Sequence, residues 1–347
     1  MPIPKTIMSE KLEDAEVATC VEALFQHCRQ SGFPVYDLSR AERRRRLESL
    51  LAFDYRSILK GGTIRQTMHA IGLCWHYHPH MWEIRCGNMR TPMQVFLDDE
   101  LLKKAIEKRL RMGGYLSNGG LRKAISNFSG TQRVSTFRPT AAAAVYHELL
   151  PASGGTTWDM SSGFGGRFLG AICCPKVRKY IGTDPSTFAM EGLEEMASEL
   201  LPLTGRRIDV ELHRVGSEEY VPERNSITLA ASSPPFWNWE QYSQEPSQSF
   251  IKFSSKREWL EGYLGKTLDN CRIGLKPTGK LAVNITGVGT YPELETDFLT
   301  LAKRGGWKHI GTLQMELSRM LGTRKFKDRT PQECLYKREP IHVFSPR

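Results

Sequence analysis

Two stretches of this chain carry residue types and spacings that can do chemistry. The first, "WDMSSGFGGRFLGA" (Trp158 to Ala171), sets Gly163, Gly165 and Gly166 between a β-rich run and a helical one. Glycines in such a turn let the backbone pass close to a bound cofactor at the carboxyl end of a first strand, or simply permit a tight strand-to-helix turn. The next β-rich run, "YIGTDPS", ends at Asp184. An acid there, about twenty residues beyond the glycines, accepts hydrogen bonds from ribose hydroxyls or caps the helix that follows. After a third strand, "VGSEEY" offers Glu218 to an adenine edge, with Glu218 and Glu219 as plain surface acids the alternative. The glycine spacing does not match G-x-G-x-x-G, so a smaller adenosyl cofactor fits better than a dinucleotide.

The second stretch is "AASSPPFWNWEQYS", Ala230 to Ser243. The apolar run Ile227–Ala231 reads as a fourth strand, ending in two serines, two prolines and the aromatics Phe236, Trp237 and Trp239. Ser233-Pro234-Pro235-Phe236 resembles the (Asp/Asn/Ser)-Pro-Pro-(Tyr/Phe/Trp) motif of S-adenosylmethionine-dependent amino-methyltransferases that act on nucleic-acid bases. The resemblance extends to "TFRPT" as the lead-in that cradles methionine, "GFGGR" as the cofactor loop and "EPIHVF" as the closing strand. It covers about residues 134–347.

That resemblance implies a class I methyltransferase fold: an α/β, Rossmann-like seven-stranded sheet, mostly parallel with the last strand antiparallel. It implies S-adenosylmethionine held by Phe137, Arg138, Pro139, Thr140, Asp159, Ser161, Gly163, Phe164, Gly165, Gly166, Arg167, Asp184, Pro185 and Glu218. It implies catalysis by Ser233, Pro234, Pro235 and Phe236 on a base of DNA, with RNA as an alternative. An exocyclic amino nitrogen is conjugated into its ring and is a poor nucleophile. Hydrogen bonds accepted from its N–H groups by Ser233 Oγ and the Pro234 carbonyl favour electron density on nitrogen, and the prolines stiffen that carbonyl. Phe236 stacks on a base that has left the duplex. Neither a metal nor a covalent enzyme intermediate is needed, and catalysis rests on positioning and electrostatics. Serine in place of the commoner aspartate tilts the target towards cytosine N4 over adenine N6. Phenylalanine keeps the stacking of the commoner tyrosine and loses its hydroxyl, and Asn225-Ser226 stand where an acid often begins the strand. Trp237, Trp239 and Tyr242 follow in a Ser/Gln-rich loop that either contacts nucleic acid or packs on the sheet. Arg324, Lys325 and Lys327, in "GTRKFKDR", are further nucleic-acid candidates. Other readings are the same chemistry on RNA or a protein glutamine amide, and a non-catalytic nucleic-acid-binding protein that keeps the fold.

These residues need a frame. The strand candidates are Thr156–Met160, Lys179–Thr183, Asp209–Val215, Ser226–Ala231, Lys280–Ile285, Lys308–Glu316 and Pro340–Phe344. Helical segments are expected between the first five, which predicts right-handed crossovers and a mostly parallel sheet. The last two are expected to form an antiparallel pair. Residues 1–130 read as a mainly helical, basic domain and 131–347 as the methyltransferase domain. In the former, "DLSRAERRRRLESLLAFD" opens with a capping box, Ser39 with Glu42, and "LDDELLKKAIEKRLRMGG" has acids in its first turn and bases in its last.

The net charge of +10 is uneven: residues 39–150 hold 19 basic and 9 acidic side chains, against 3 and 6 in residues 1–38. Such a block suits a polyanion-facing surface or a solvated helix face. Eight cysteines without paired spacing read as buried thiols of a reducing compartment, and the N-terminus lacks the order of a secretory signal, so a cytoplasmic protein without membrane association is expected. Cys74, His76, His78, His80 and Cys86 match no ordinary zinc spacing, and no metal is expected.

Overall fold

The computed structural model describes residues 13–112, 117–319 and 336–346. Chain contacts divide into two compact units. Of the described residues, one unit holds those up to Asp37, those from Pro79 to Ser135 and Glu240–Tyr242; the other holds Leu38–His78, Thr136–Trp239 and those from Ser243 onward. Residues 38–78, including the capped helix Arg40–Leu51, thus pack with the second unit.

In the first unit, helices Asp14–Ser31, Pro92–Leu97, Asp99–Arg111 and Asn118–Ser126 meet around Val17, Phe25, Leu102, Ile106 and Ile125. The apolar residues recur at helical spacing, and each helix buries that stripe. Gly32, at φ 76°, ends the first helix, while Asp98 caps the third through the Leu101 N–H. Several bases here are answered by acids: Arg29 by Asp99 at 2.7 Å, Lys103 by Glu22 at 2.8 Å, and Arg111 by Asp14 and Glu107 at 2.8 Å.

The described residues form eleven strands. They are β1 (Leu59–Lys60), β2 (Thr63–Arg65), β3 (Arg85–Cys86), β4 (Gly155–Asp159), β5 (Val177–Thr183), β6 (Asp209–His213), β7 (Ile227–Ser232), β8 (Glu240–Gln241), β9 (Leu275–Asn284), β10 (Lys308–Arg319) and β11 (Tyr336–Ser345). β3 and β8 pair in the first unit. The other nine form one sheet, ordered β1-β2-β10-β11-β9-β7-β4-β5-β6. β6, β5, β4, β7 and β9 run parallel, and β11 lies antiparallel between β9 and β10.

The expected α/β sheet is present with two corrections. It has nine strands rather than seven, because the hairpin β1–β2 joins the edge beside β10, in parallel with it. Helices fill three of the four intervals between the first five predicted strands as expected, but β6 and β7 are joined by turns alone. Residues 214–226 make that crossover, from β6 at the end of the sheet to β7 on the far side of β4, without a helix.

Alternation along β4 sends Trp158 into the apolar core with Ile181, Trp259, Leu281 and Phe298, and Thr157 and Asp159 to the opposite face. Helix Gly166–Cys173 packs closely on helix Pro139–Leu149; a Cβ on Gly170 would lie 2.5 Å from that of Ala142. Among the described residues, no helix is long and apolar enough to cross a membrane.

Candidate functional site

β4 and β5 end in the two acids singled out above, and the fold treats them differently. Asp159, fully buried, takes the Arg167 Nε on both carboxylate oxygens at 2.9 Å. It also accepts the Tyr180 hydroxyl at 2.8 Å and the Ser232 hydroxyl at 2.9 Å. Arg167 continues to the Ser161 carbonyl and lies over the Phe137 ring. Burial opposes the guanidinium charge, but the Asp159 carboxylate together with the Tyr180 and Tyr146 phenols outweighs it, so the arginine pKa is raised. Burial beside Asp159 also lifts the Tyr180 phenol well above its ordinary value, so this hydroxyl is a donor at neutral pH.

Asp184 is half-buried and accepts two backbone donors, Gly163 N–H at 2.9 Å and Ser186 N–H at 3.0 Å. Burial pushes its pKa up to about 6 against these two hydrogen bonds. It is not the helix cap: Ser186 caps helix Thr187–Leu200, its hydroxyl accepting the Ala189 N–H. Asp184 therefore reaches back to the glycine turn and holds it.

The turn itself needs glycine twice over. Gly165 sits at φ 75° with the Met196 side chain closing over it. A Cβ on Gly166 would lie 1.9 Å from the Phe137 carbonyl oxygen, so only glycine lets the Phe137–Thr140 segment approach. Pro139 occupies the first helical turn, as predicted, and Thr140 is buried with its hydroxyl 2.9 Å from that of Thr67. Phe164 is buried with its ring edge-on to His78. The sequence-derived cofactor residues around Asp159, Gly163–Arg167, Asp184 and Phe137–Thr140 are therefore brought together in the second unit.

Glu218 is 6% exposed. Its Oε1 accepts Lys252 Nζ at 2.8 Å, while its Oε2 is buried without a hydrogen-bond partner among the described residues. Such an orphaned acceptor is costly unless a donor arrives, and the exocyclic amino group of an adenine is one. Pro185 follows Asp184 in the chain and accepts the Ser247 hydroxyl on its carbonyl.

Ser233 is the first residue beyond β7. Pro234 is buried, Ser233, Pro235 and Phe236 are half-buried, and Phe236 and Trp237 pack on the core that contains Trp158. Trp237 sits at φ 54°, left-handed backbone that a bulky residue rarely adopts. Its ring meets Tyr291 edge-on at 6.1 Å, and Lys256 Nζ lies 5.6 Å from Trp237 and 4.8 Å from Tyr291. Trp239 lies against Gly289. Of the two readings of these tryptophans, packing is thus visible. Tyr242 clusters with the first unit, where its hydroxyl donates to Glu240. Arg324, Lys325 and Lys327 lie outside the described residues.

The sequence reading missed Tyr180, Ser232, Tyr263 and Tyr291. Tyr263 lies in a π-helical segment, Trp259–Gly265, with its hydroxyl 3.0 Å from Ser161 Oγ. Wide turns of this kind recur at functional sites. The doubled serine before the prolines was the one available signal for Ser232.

His78 is buried between the Cys74 and Ala189 carbonyls, and burial lowers its pKa to about 4. His76 faces the Leu38 N–H and Arg43, whose guanidinium also pairs with Glu199 at 2.8 Å. Among the described residues no three His, Cys, Asp or Glu side chains are grouped to hold a metal.

No protein-family model and no curated protein matches this chain. Solved structures match it in part. A SAM-dependent methyltransferase from Methanosarcina mazei shares 12% identity at a TM-score of 0.38, over 58% of this chain and 96% of that one. Geranyl diphosphate C-methyltransferase from Streptomyces coelicolor, solved with Mg2+, geranyl diphosphate and S-adenosyl-L-homocysteine, gives 11% and 0.40, over 60% and 79%. A SAM-dependent O-methyltransferase from Thermotoga maritima gives 12% and 0.39, over 62% and 68%. The strand order, with β11 antiparallel between β9 and β10, is that of the class I methyltransferases, and this chain has that fold.

Proposed function

We propose that this chain is an S-adenosylmethionine-dependent DNA methyltransferase that methylates an exocyclic amino group of a flipped base, cytosine N4 in preference to adenine N6. The observation that carries the reading is an arrangement. The glycine turn with Asp184, and the Ser233–Phe236 exit, close the carboxyl ends of β4, β5 and β7, which are neighbours in one parallel sheet. Ligands of open α/β sheets bind at such ends, where the chain leaves adjacent strands in opposite directions.

The cofactor fits the residues present. Asp184 would accept the ribose hydroxyls, the orphaned Glu218 Oε2 would accept the adenine amino group, and Phe137–Thr140 would flank the methionine end. When bound, S-adenosylmethionine supplies a methyl group activated by its sulfonium. Ser233 Oγ and the Pro234 carbonyl accept hydrogen bonds from the target amino group, leaving its lone pair less delocalised. Phe236 offers a ring face to the base, replacing the stacking lost on flipping. The basic excess of residues 39–150 supports backbone affinity for a polyanion.

Nucleosides released from duplex DNA incubated with the protein and S-adenosylmethionine should contain N4-methylcytosine by mass spectrometry. N6-methyladenine instead would correct the base. Methyl transfer confined to RNA or protein, or cofactor binding without transfer to any of the three, would overturn the reading. Calorimetry with S-adenosylhomocysteine tests the cofactor assignment separately.

A further inference from the structure

The Asp159 carboxylate joins more of the chain than a cofactor acid needs to. It is the last residue of β4, and its donors come from the helix after the glycine turn (Arg167), from β5 (Tyr180) and from the last residue of β7 (Ser232). Ser232 immediately precedes Ser233. The other end of the arginine holds the Ser161 carbonyl inside the turn. One buried ion pair therefore fastens the glycine turn to the residue at which the Ser-Pro-Pro-Phe segment begins. Burying a charge pair costs desolvation that its attraction rarely exceeds, so such pairs are better explained by the geometry they fix than by stability.

We propose that Ser232 is a positioning residue: through Asp159 and Arg167 it ties the start of Ser233–Phe236 to the glycine turn, so that filling the turn orders the segment. This rests on the cofactor reading above. It assigns Ser232 no contact with substrate. The structure also supplies the conservative variant that tests it. Ser232 lines a small cavity together with Phe137, Tyr146, Arg167, Ala282 and Asn284. Ser232→Thr keeps the hydroxyl and adds one methyl group beside this cavity, and Ser232→Ala removes the hydroxyl with little change of volume.

The experiment is hydrogen exchange on the full chain, free and with S-adenosylhomocysteine, read separately at residues 160–170 and 230–239. In the wild type the ligand should slow exchange in both segments. In Ser232→Ala it should still slow the turn, with a dissociation constant within about twofold, but its effect on 230–239 should be lost. Ser232→Thr should restore it. In turnover, Ser232→Ala should lower kcat about tenfold or more at unchanged cofactor KM, as small misplacements near a reacting centre do, and Ser232→Thr should recover most of it. Equal protection of 230–239 in Ser232→Ala and wild type would overturn the proposal, as would a threonine variant no better than alanine. No binding of S-adenosylhomocysteine by the wild type would instead overturn the cofactor reading on which it stands.

Discussion

The turn after β4 is held by charge and hydrogen bonds, whereas the exit of the neighbouring β7 is held by proline rings and aromatic packing. At the turn, Asp159 meets Arg167, Tyr180 and Ser232, and Asp184 meets two backbone N–H groups. At the exit, Phe236 and Trp237 lean on the core, and Trp237 Nε1 and Asn238 Oδ1 are buried with no hydrogen-bond partner among the described residues. A site for a charged, dipole-rich cofactor calls for fixed dipoles. On the function proposed above, the exit would present one carbonyl and one ring face to a flat base, a task that calls for stiffness. The difference shows how one sheet edge can serve both.

The comparison breaks most visibly at Arg167. Arg167→Met leaves a buried carboxylate without its cation and should cost about 3–5 kcal/mol in urea unfolding. A loss below about 1 kcal/mol would mean the turn is not held by charge. At the exit the effect should fall on rate instead. Ser233→Ala should lower methyl transfer about a hundredfold, near 2.7 kcal/mol of barrier, while the unfolding midpoint moves little; Phe236→Leu, which keeps an apolar group on the core but loses the ring face, should lower transfer comparably. Unchanged turnover in both would remove the catalytic assignment.

A smaller effect sharpens the picture at Asp184. With a pKa near 6 it is ionised at pH 7.5 and about nine-tenths protonated at pH 5, so S-adenosylhomocysteine should bind up to about tenfold more weakly at pH 5. Asp184→Asn should bind weakly at both. The same shift has the opposite sign for stability. Between about pH 6 and 4 the folded chain takes up this proton before the unfolded chain does, so Asp184 adds stability as pH falls through that window. His78, lowered to about 4 by burial, subtracts stability as pH falls from about 6.5 towards 4, because the unfolded chain is protonated first. The smallest effect belongs to Lys256: Lys256→Ala removes its contact with the Trp237 and Tyr291 rings and should cost under about 1 kcal/mol by double-mutant cycle with Trp237→Leu.

Local signals carried much of this architecture. Seven strands lie where β-rich runs predicted them, within a few residues at most ends; the fifth and seventh begin earlier, at Leu275 and Tyr336. The capping box of Ser39 and Glu42 and the first-turn Pro139 form as their spacing implies. What escaped were relations across the chain. β1 and β2 are two- and three-residue strands whose existence depends on β10, so no periodicity announces them. Asp159 and Arg167 both read as cofactor residues, so their pairing was not legible, and the serine that joins them is 73 positions from Asp159. Tyr263 lies 102 positions from Ser161 and reaches it only through a widened turn of helix.

The pairing of β2 with β10 also has a kinetic consequence. Thr63 lies opposite Gln314, so most of the chain must be synthesised before this ladder can close. Closing so large a loop is entropically slow to begin, and until it closes β10 has one bare edge able to recruit a strand from another molecule. A nascent or heated chain should therefore be most prone to misassociate at β10, and the short hairpin β1–β2 acts as a guard over its Gln314–Glu316 stretch.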